Sequence, residues 1–158
     1  SSSSRGLGDV YKRQIISYGA FDIYAGAVDG FESYKNPFWA FSRSTPRKIF
    51  GEGFDHVNNP DMYKAVSPLY NIPEAKVKAL PPQLLLVGSN DRLTTPDSVK
   101  DYLNALKEKG HQVSYWEYPG KGHAFLDSGN NYFLGTNFER DAPEALDKMI
   151  NFLESVFK

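Results

Sequence analysis

Two residues carry the chemistry that this sequence offers: Asp91, in "LLLVGSNDRLT", and His123, in "YPGKGHAF". A carboxylate beside an imidazole fixes the tautomer of the ring and stabilises the imidazolium that forms when the ring takes up a proton. Such a couple is the working half of a general-base site. The two stand 32 residues apart, which leaves room for one helix and one strand between them. Singly, each has a plain structural role. An Asp in a turn hydrogen-bonds its own backbone, and a His in a glycine-bounded loop is as often structural as functional. The other two histidines lack a comparable setting. His111 follows the expected end of a helix and reads as a solvated cap. His56, in "GFDHVNNPD", reads as a surface-loop residue, with no converging ligand set for a metal.

The elements around the pair give it weight. "QLLLVG", 83–88, is a short continuous apolar run, as expected of a strand buried on both faces. A helix follows: Thr95 is its N-cap, Pro96 its first residue, Val99, Tyr102, Leu103 and Leu106 its apolar stripe, and Gly110 its stop. "QVSYWEYPG" alternates as a strand, with Val113, Tyr115 and Glu117 on one side and Ser114, Trp116 and Tyr118 on the other. "APEALDKMINFLESVFK" closes the chain as a helix with a stripe of Leu146, Met149, Ile150, Leu153 and Phe157. Upstream, residues 15–18 read as the end of a buried strand. Residues 30–73 form an irregular aromatic excursion, punctuated by Pro, Asn and Gly, with short helices. Most of its aromatics are expected to fill its own inner side. Strands separated by helices of this length predict an α/β fold with a parallel sheet covered on both faces. Ligands of such sheets bind at the carboxyl ends of the strands, and Asp91 and His123 each follow one.

The totals exclude several classes. A net charge of −1 argues against a nucleic-acid surface, which carries a basic excess. No apolar run approaches the length of a membrane span. With no cysteine there is no disulfide, thiol nucleophile or thiolate metal site, although this leaves the compartment open. No motif calls for a cofactor or a metal, so none is expected.

The N-terminal string "SRGLGDVYKRQ" has no apolar period and no secretory core. It resembles the translated adapter of transposase-based sequencing libraries. Residues 1–14 are therefore expected to be a non-native tail that packs against nothing specific. The parent gene is expected to have been cut there, leaving 15–158 as the C-terminal part of a single domain.

Over residues 15–157 the chain resembles the C-terminal part of an α/β-hydrolase, in particular the acetyl-esterase and carboxylesterase group related to hormone-sensitive lipase. "SPLYNIPEAKVKALPPQLLLVGSNDRL" is similar to that group's approach to its acid: a Ser-Pro-Leu segment, a Pro-Pro pair, an apolar strand, then Gly-x-x-Asp. "YPGKGHAF" is similar to its histidine loop, and "IISYGAFDIY" to the strand after its nucleophile helix. The resemblance implies a partial α/β-hydrolase fold, with Asp91 as catalytic acid and His123 as base. The departure is the nucleophile. The family places a serine in a Gly-x-Ser-x-Gly elbow, and no such motif occurs in the 158 residues.

Two classes of function follow. In the first, the chain is part of a serine hydrolase of small-molecule acyl esters, supplying acid and base without the nucleophile and inactive by itself. Phe38, Trp39 and Phe41 are then candidates for a wall of the substrate pocket, and an acetylated carbohydrate is a candidate substrate because aromatic faces stack on sugar rings. The alternative within this class is a peptidase of the prolyl oligopeptidase type, whose terminal half has a similar Asp-to-His arrangement. In the second class, the chain is a non-catalytic binding protein on the same fold. A Gly-x-Ser-x-Gly elbow encoded upstream separates the first class from the second.

Overall fold

The computed structural model of the chain describes residues 12–36, 39, 44–127, 129–132 and 135–155. The chain divides into two compact units, one comprising Ser1–Gly19 with Pro73–Lys158, the other Ala20–Ile72.

The first unit is built on three parallel strands in the order β1-β2-β3: β1 Gln14–Ser17, β2 Gln83–Gly88 and β3 Val113–Tyr118. Every residue of the central strand β2 is buried, which is why its sequence is a continuous apolar run and does not alternate. Leu84 and Leu86 face one layer and meet Tyr118, Phe125 and Ala145, with Met149 and Phe152 packed alongside. On the opposite face the helix α3, Pro96–Glu108, buries Val99, Tyr102, Leu103 and Leu106. Tyr102 reaches back from it to donate to Gln83 Oε1 at 3.4 Å. Burying side chains such as Leu85, Leu86 and Val87 contributes roughly 1.5–3 kcal/mol each, so β2 is the anchor of the unit. The α3 boundaries follow local chemistry. The Thr95 side chain accepts from the Ser98 N–H at 3.3 Å, Pro96 opens the helix, and Gly110 leaves it with φ 82°.

Three expectations need correction. The last helix, α4, runs Phe138–Glu154 and starts four residues before Ala142, with Asn137 as its cap and Pro143 in its first turns. Its buried face is Ala142, Ala145, Met149 and Phe152, whereas Leu146, Ile150 and Leu153 are 45%, 50% and 44% exposed. Ala142 and Ala145 are buried on this face, so of the expected stripe Met149 packs on the core, Leu146, Ile150 and Leu153 do not, and Phe157 lies outside the described residues. His111 is buried, not solvated: its Nδ1 accepts from the Leu80 N–H at 3.3 Å and its Nε2–H donates to the Pro73 carbonyl at 2.6 Å. At the N-terminal side, Gln14 belongs to β1, its N–H donating to the Pro82 carbonyl at 3.0 Å, and the Arg13 guanidinium lies 5.0 Å above the Phe152 ring. Ladder bonds are main-chain chemistry that any residue can make, so pairing extends one residue into the segment expected to be a tail. Tyr11 and the residues before it lie outside the described residues.

The second unit starts at Ala20, ten residues before the excursion expected from Gly30. It contains α1, Ile23–Val28, α2, Pro60–Val66, and a 3₁₀ turn, Pro68–Asn71. Asp22 caps α1 through the Ala25 N–H at 2.8 Å. The fully buried Ser67 accepts from the Ile23 N–H at 2.9 Å and donates to the Tyr63 carbonyl at 2.7 Å, tying α1 to α2. The buried Glu32 accepts from the Tyr63 hydroxyl and the Ile49 N–H, both at 2.7 Å. Phe21, Trp39 and Tyr63 are buried in this unit, whereas Phe31, Tyr34, Phe54 and Tyr70 remain exposed, so only some of the aromatics of the excursion fill its inner side.

Candidate active site

The acid loop leaves the carboxyl end of β2. Its first turn is closed by the Asp91 N–H donating to the Gly88 carbonyl at 3.0 Å. The Asp91 side chain then turns back on its own loop. Oδ1 accepts from the Leu93 and Thr94 N–H groups, both at 2.9 Å, and Oδ2 accepts from the Thr94 hydroxyl at 2.9 Å. Asp91 is only 3% exposed. Burial by itself raises a carboxyl pKa, but here the hydrogen bonds from His123, Thr94 and Leu93 outweigh it and hold Asp91 below the usual carboxylate value.

The histidine loop leaves the neighbouring strand β3 on the same sheet edge. It is laid directly over the acid loop. The Ser89 N–H donates to the Tyr118 carbonyl at 2.9 Å, the Asn90 N–H to the Lys121 carbonyl at 2.8 Å, and the Gly120 N–H to Ser89 Oγ at 2.7 Å. Gly120 makes the bend with φ 72°. The approach is so close that a Cβ on Gly88 would lie 2.2 Å from the Lys121 carbonyl oxygen. Only glycine fits there.

His123 Nδ1 consequently meets Asp91 Oδ2 at 2.9 Å and Oδ1 at 3.2 Å. An ionised carboxylate only accepts, so Nδ1 carries the proton and the Nε2 lone pair is left available. Among the described residues Nε2 makes no hydrogen bond, and the His123 side chain is 34% exposed. This is a ring held in the tautomer of a general base, with its basic nitrogen turned away from the holding carboxylate.

Two further contacts brace the surroundings of the ring, and no local sequence pattern announces them. Tyr18, just past β1, packs its ring 5.5 Å from the imidazole, and its hydroxyl accepts from the Leu126 N–H at 2.8 Å. Tyr18 and Ala124 have φ 57° and 54°, left-handed backbone that costs of order 1 kcal/mol or more outside glycine. Burial pushes the Tyr18 phenol well above its ordinary pKa, so it is a neutral strut. Lys121 Nζ meets the buried Asp141 Oδ1 of α4 at 2.5 Å, and Arg140 closes on the same carboxylate at 2.6 and 2.9 Å. These cations hold Asp141 far below the carboxylate range. Thr94 alone had a local signal, the Asp-x-x-Thr spacing of a side-chain-closed turn.

Of the expected pocket residues, Phe38 and Phe41 lie outside the described residues. Trp39 is 7% exposed, its ring lies 5.5 Å from Phe31, and its indole N–H donates to the Phe31 carbonyl. It fills the interior of its own unit and offers no open ring face, because an indole with a buried N–H needs a partner and finds it in the backbone beside it. His56 is half-buried with its ring edge-on to Tyr63.

The model of the prolyl oligopeptidase family matches residues 19–158. Among solved structures, the chain superposes over 93% of its length on a puromycin-hydrolyzing peptidase of Mycobacterium tuberculosis, with 21% identity and a TM-score of 0.63. It superposes over 94% on a puromycin hydrolase with 23% identity and a TM-score of 0.61. Over 91% it superposes on a truncated carbohydrate esterase from gut microbiota, with 16% identity and a TM-score of 0.57. The chain spans 19% of the length of each of the first two structures and 42% of the third. No curated protein matches it. At these identities the likeness establishes the fold, that of the α/β-hydrolases. The family is the one the sequence reading placed second, and the group related to hormone-sensitive lipase is not the one the match identifies.

Proposed function

The chain belongs to the prolyl oligopeptidase family, and on that premise we propose that it is the acid- and base-bearing part of a serine hydrolase. The observation that carries this is the 2.9 Å contact between His123 Nδ1 and Asp91 Oδ2 at the carboxyl ends of two adjacent parallel strands. In the proposed reaction, His123 Nε2 takes the proton of a serine hydroxyl as the oxygen attacks a substrate carbonyl. It then gives that proton to the leaving group. In the second half it takes a proton from water as the water oxygen attacks the acyl carbon, then gives that proton to the serine oxygen as the acyl–serine bond breaks, which releases the acid and restores the serine. Asp91 stays ionised throughout and holds the ring. The serine and its oxyanion hole are proposed to come from parent residues outside these 158, since no Gly-x-Ser-x-Gly occurs among them.

The proposed substrates are small-molecule carboxylic esters, with an acetylated carbohydrate as one candidate. A peptidase is the second reading, and the family match favours it. The base, acid and oxyanion chemistry is the same for both; only the leaving group differs. The test is to join the 158 residues to the upstream coding sequence and assay a short-chain acyl ester beside an aminoacyl amide. Activity is expected in the joined protein and not in the 158 residues alone. It should fall by several orders of magnitude in His123→Ala, since base and nucleophile act as one unit. Undiminished turnover in His123→Ala overturns the proposal, and the ester-to-amide ratio decides between the readings.

A further inference from the structure

In the histidine loop, Lys121 meets the acid loop, the end of β2 and the start of α4. Lys121 sits two positions before His123. Its carbonyl accepts from the Asn90 N–H of the acid loop at 2.8 Å and presses against Gly88 at the end of β2. Its side chain runs the other way to Asp141 on α4, at 2.5 Å. The Asp141 carboxylate is 2% exposed, and its second oxygen also accepts from the Asn137 N–H at the start of the helix, at 3.1 Å. A buried carboxylate that lost a cation would be strongly disfavoured, so the pair has one well-defined geometry. A long, flexible lysine is thereby converted into a fixed strut, and its backbone cannot shift without breaking either the ion pair or the bond to the acid loop.

From this geometry we propose that Lys121 is a positioning residue for the Asp91–His123 pair. It locks the histidine loop between the end of β2 and the first turn of α4, so that Nδ1 stays on the carboxylate. The inference rests on the hydrolase reading above and deepens it. Lys121 takes no part in proton transfer. Its effect reaches His123 through the one intervening residue, Gly122, and the strand end. Arg140 serves as the internal contrast. It binds the same carboxylate, but its own side chain is mostly exposed and it lies on the helix, not on the loop. Losing Arg140 disturbs Asp141 without releasing the loop.

The test needs no turnover and uses the 158-residue chain itself. The His123 Nδ1–H proton is followed by proton–nitrogen NMR, assigned by its loss in Asp91→Asn, together with the thermal midpoint. In Lys121→Met its exchange with water is expected to accelerate tenfold or more, or the signal to vanish. Asp141→Asn, which breaks the same ion pair from the helix side while keeping the side-chain shape, is expected to do the same. Lys121→Arg should restore slow exchange and Arg140→Met should retain it. A signal unchanged in Lys121→Met and Asp141→Asn, even with a lowered midpoint, makes Lys121 merely structural and overturns the proposal. Equal loss in Arg140→Met overturns it too, by making the effect one of the helix start. Absence of the signal in the parent chain would remove the Asp91–His123 pair itself, and the hydrolase reading with it.

Discussion

Gly88→Ala is the sharpest perturbation of the site, since one methyl group tests whether the two loops bear on each other. The added Cβ would lie 2.2 Å from the Lys121 carbonyl oxygen and 2.6 Å from its carbon, where ordinary contact begins at 3.4 Å. Both neighbours are backbone, so no side chain can swing aside. The histidine loop must therefore retreat from β2 by about 1.2 Å to reach ordinary packing distance. A rigid retreat of that size takes the Nδ1–Oδ2 contact from 2.9 Å beyond hydrogen-bonding range and stretches the 2.8 Å bond from Asn90 to Lys121. A hydrogen bond to a charged group is worth about 1.5–3 kcal/mol and a neutral backbone bond about 0.5–1.5. The expected loss is then about 3 kcal/mol. For a chain of this length each kcal/mol lowers the midpoint by roughly 2–4 °C, so a fall of about 6–12 °C is expected. The assay is thermal unfolding of the 158-residue chain followed by circular dichroism, with the His123 Nδ1–H proton read in parallel. Gly122→Ala is the control: a Cβ there meets nothing within 4 Å, and the midpoint should move by no more than about 2 °C, as for a neutral surface change. If Gly88→Ala leaves midpoint and proton signal unchanged, or if the two glycines respond alike, the close packing of the loops is not what sets the pair.

Tyr18→Phe removes the acceptor of the Leu126 N–H but keeps the ring beside His123. A loss of about 1–2 kcal/mol is expected, seen as a midpoint lowered by roughly 2–8 °C with the His123 Nδ1–H signal retained. Stability should fall on acidification: Asp91 and Asp141 both have folded pKa values below the ordinary carboxylate value, so the unfolded chain binds more protons and their contribution, complete above about pH 4–5, is lost as pH drops through the folded values. Unfolding midpoints measured from pH 6 to 3 should show a shallower acid limb in Asp141→Asn, and an unchanged slope would mean that Asp141 does not carry that linkage.

What was legible in the sequence is what local patterns encode. The apolar run at 83–88, the cap and stripe of α3 and the alternation of β3 each depend on neighbours within a few positions, and all three elements stand where the pattern puts them. Asp91 and His123 were legible as a pair because each follows a strand. The supports were not legible, because their partners are remote. Tyr18 meets Leu126 across 108 positions, and Lys121 meets Asp141 across 20 with a loop and a helix start between them. His111 was misread for the same reason: nothing near it announces Pro73 and Leu80, which satisfy both its nitrogens from more than thirty positions away. In α4 the apolar stripe misled because Ala142 and Ala145 do the packing, and alanine carries little weight in a hydrophobic pattern.

The meeting of the pair follows from the parallel register more than from either loop. Gly88 stands opposite Tyr118 at the common edge of the sheet, and adjacent strands lie about 4.8 Å apart. From those two points Asp91 is three residues on and His123 five, so neither side chain has far to travel. The extra two residues of the histidine loop must be taken up without moving its end away from the sheet. The left-handed bend at Gly120 does this, folding the loop back so that the Lys121 carbonyl caps the Asn90 N–H. An antiparallel pair of strands would send the two chain ends to opposite edges and separate the acid from the base by the length of the strand. With parallel strands, the loop after β2 and the loop after β3 start from neighbouring points on one edge of the sheet. The loops then need only to fix orientation, which is the task of Thr94, Tyr18 and the glycine contact at position 88.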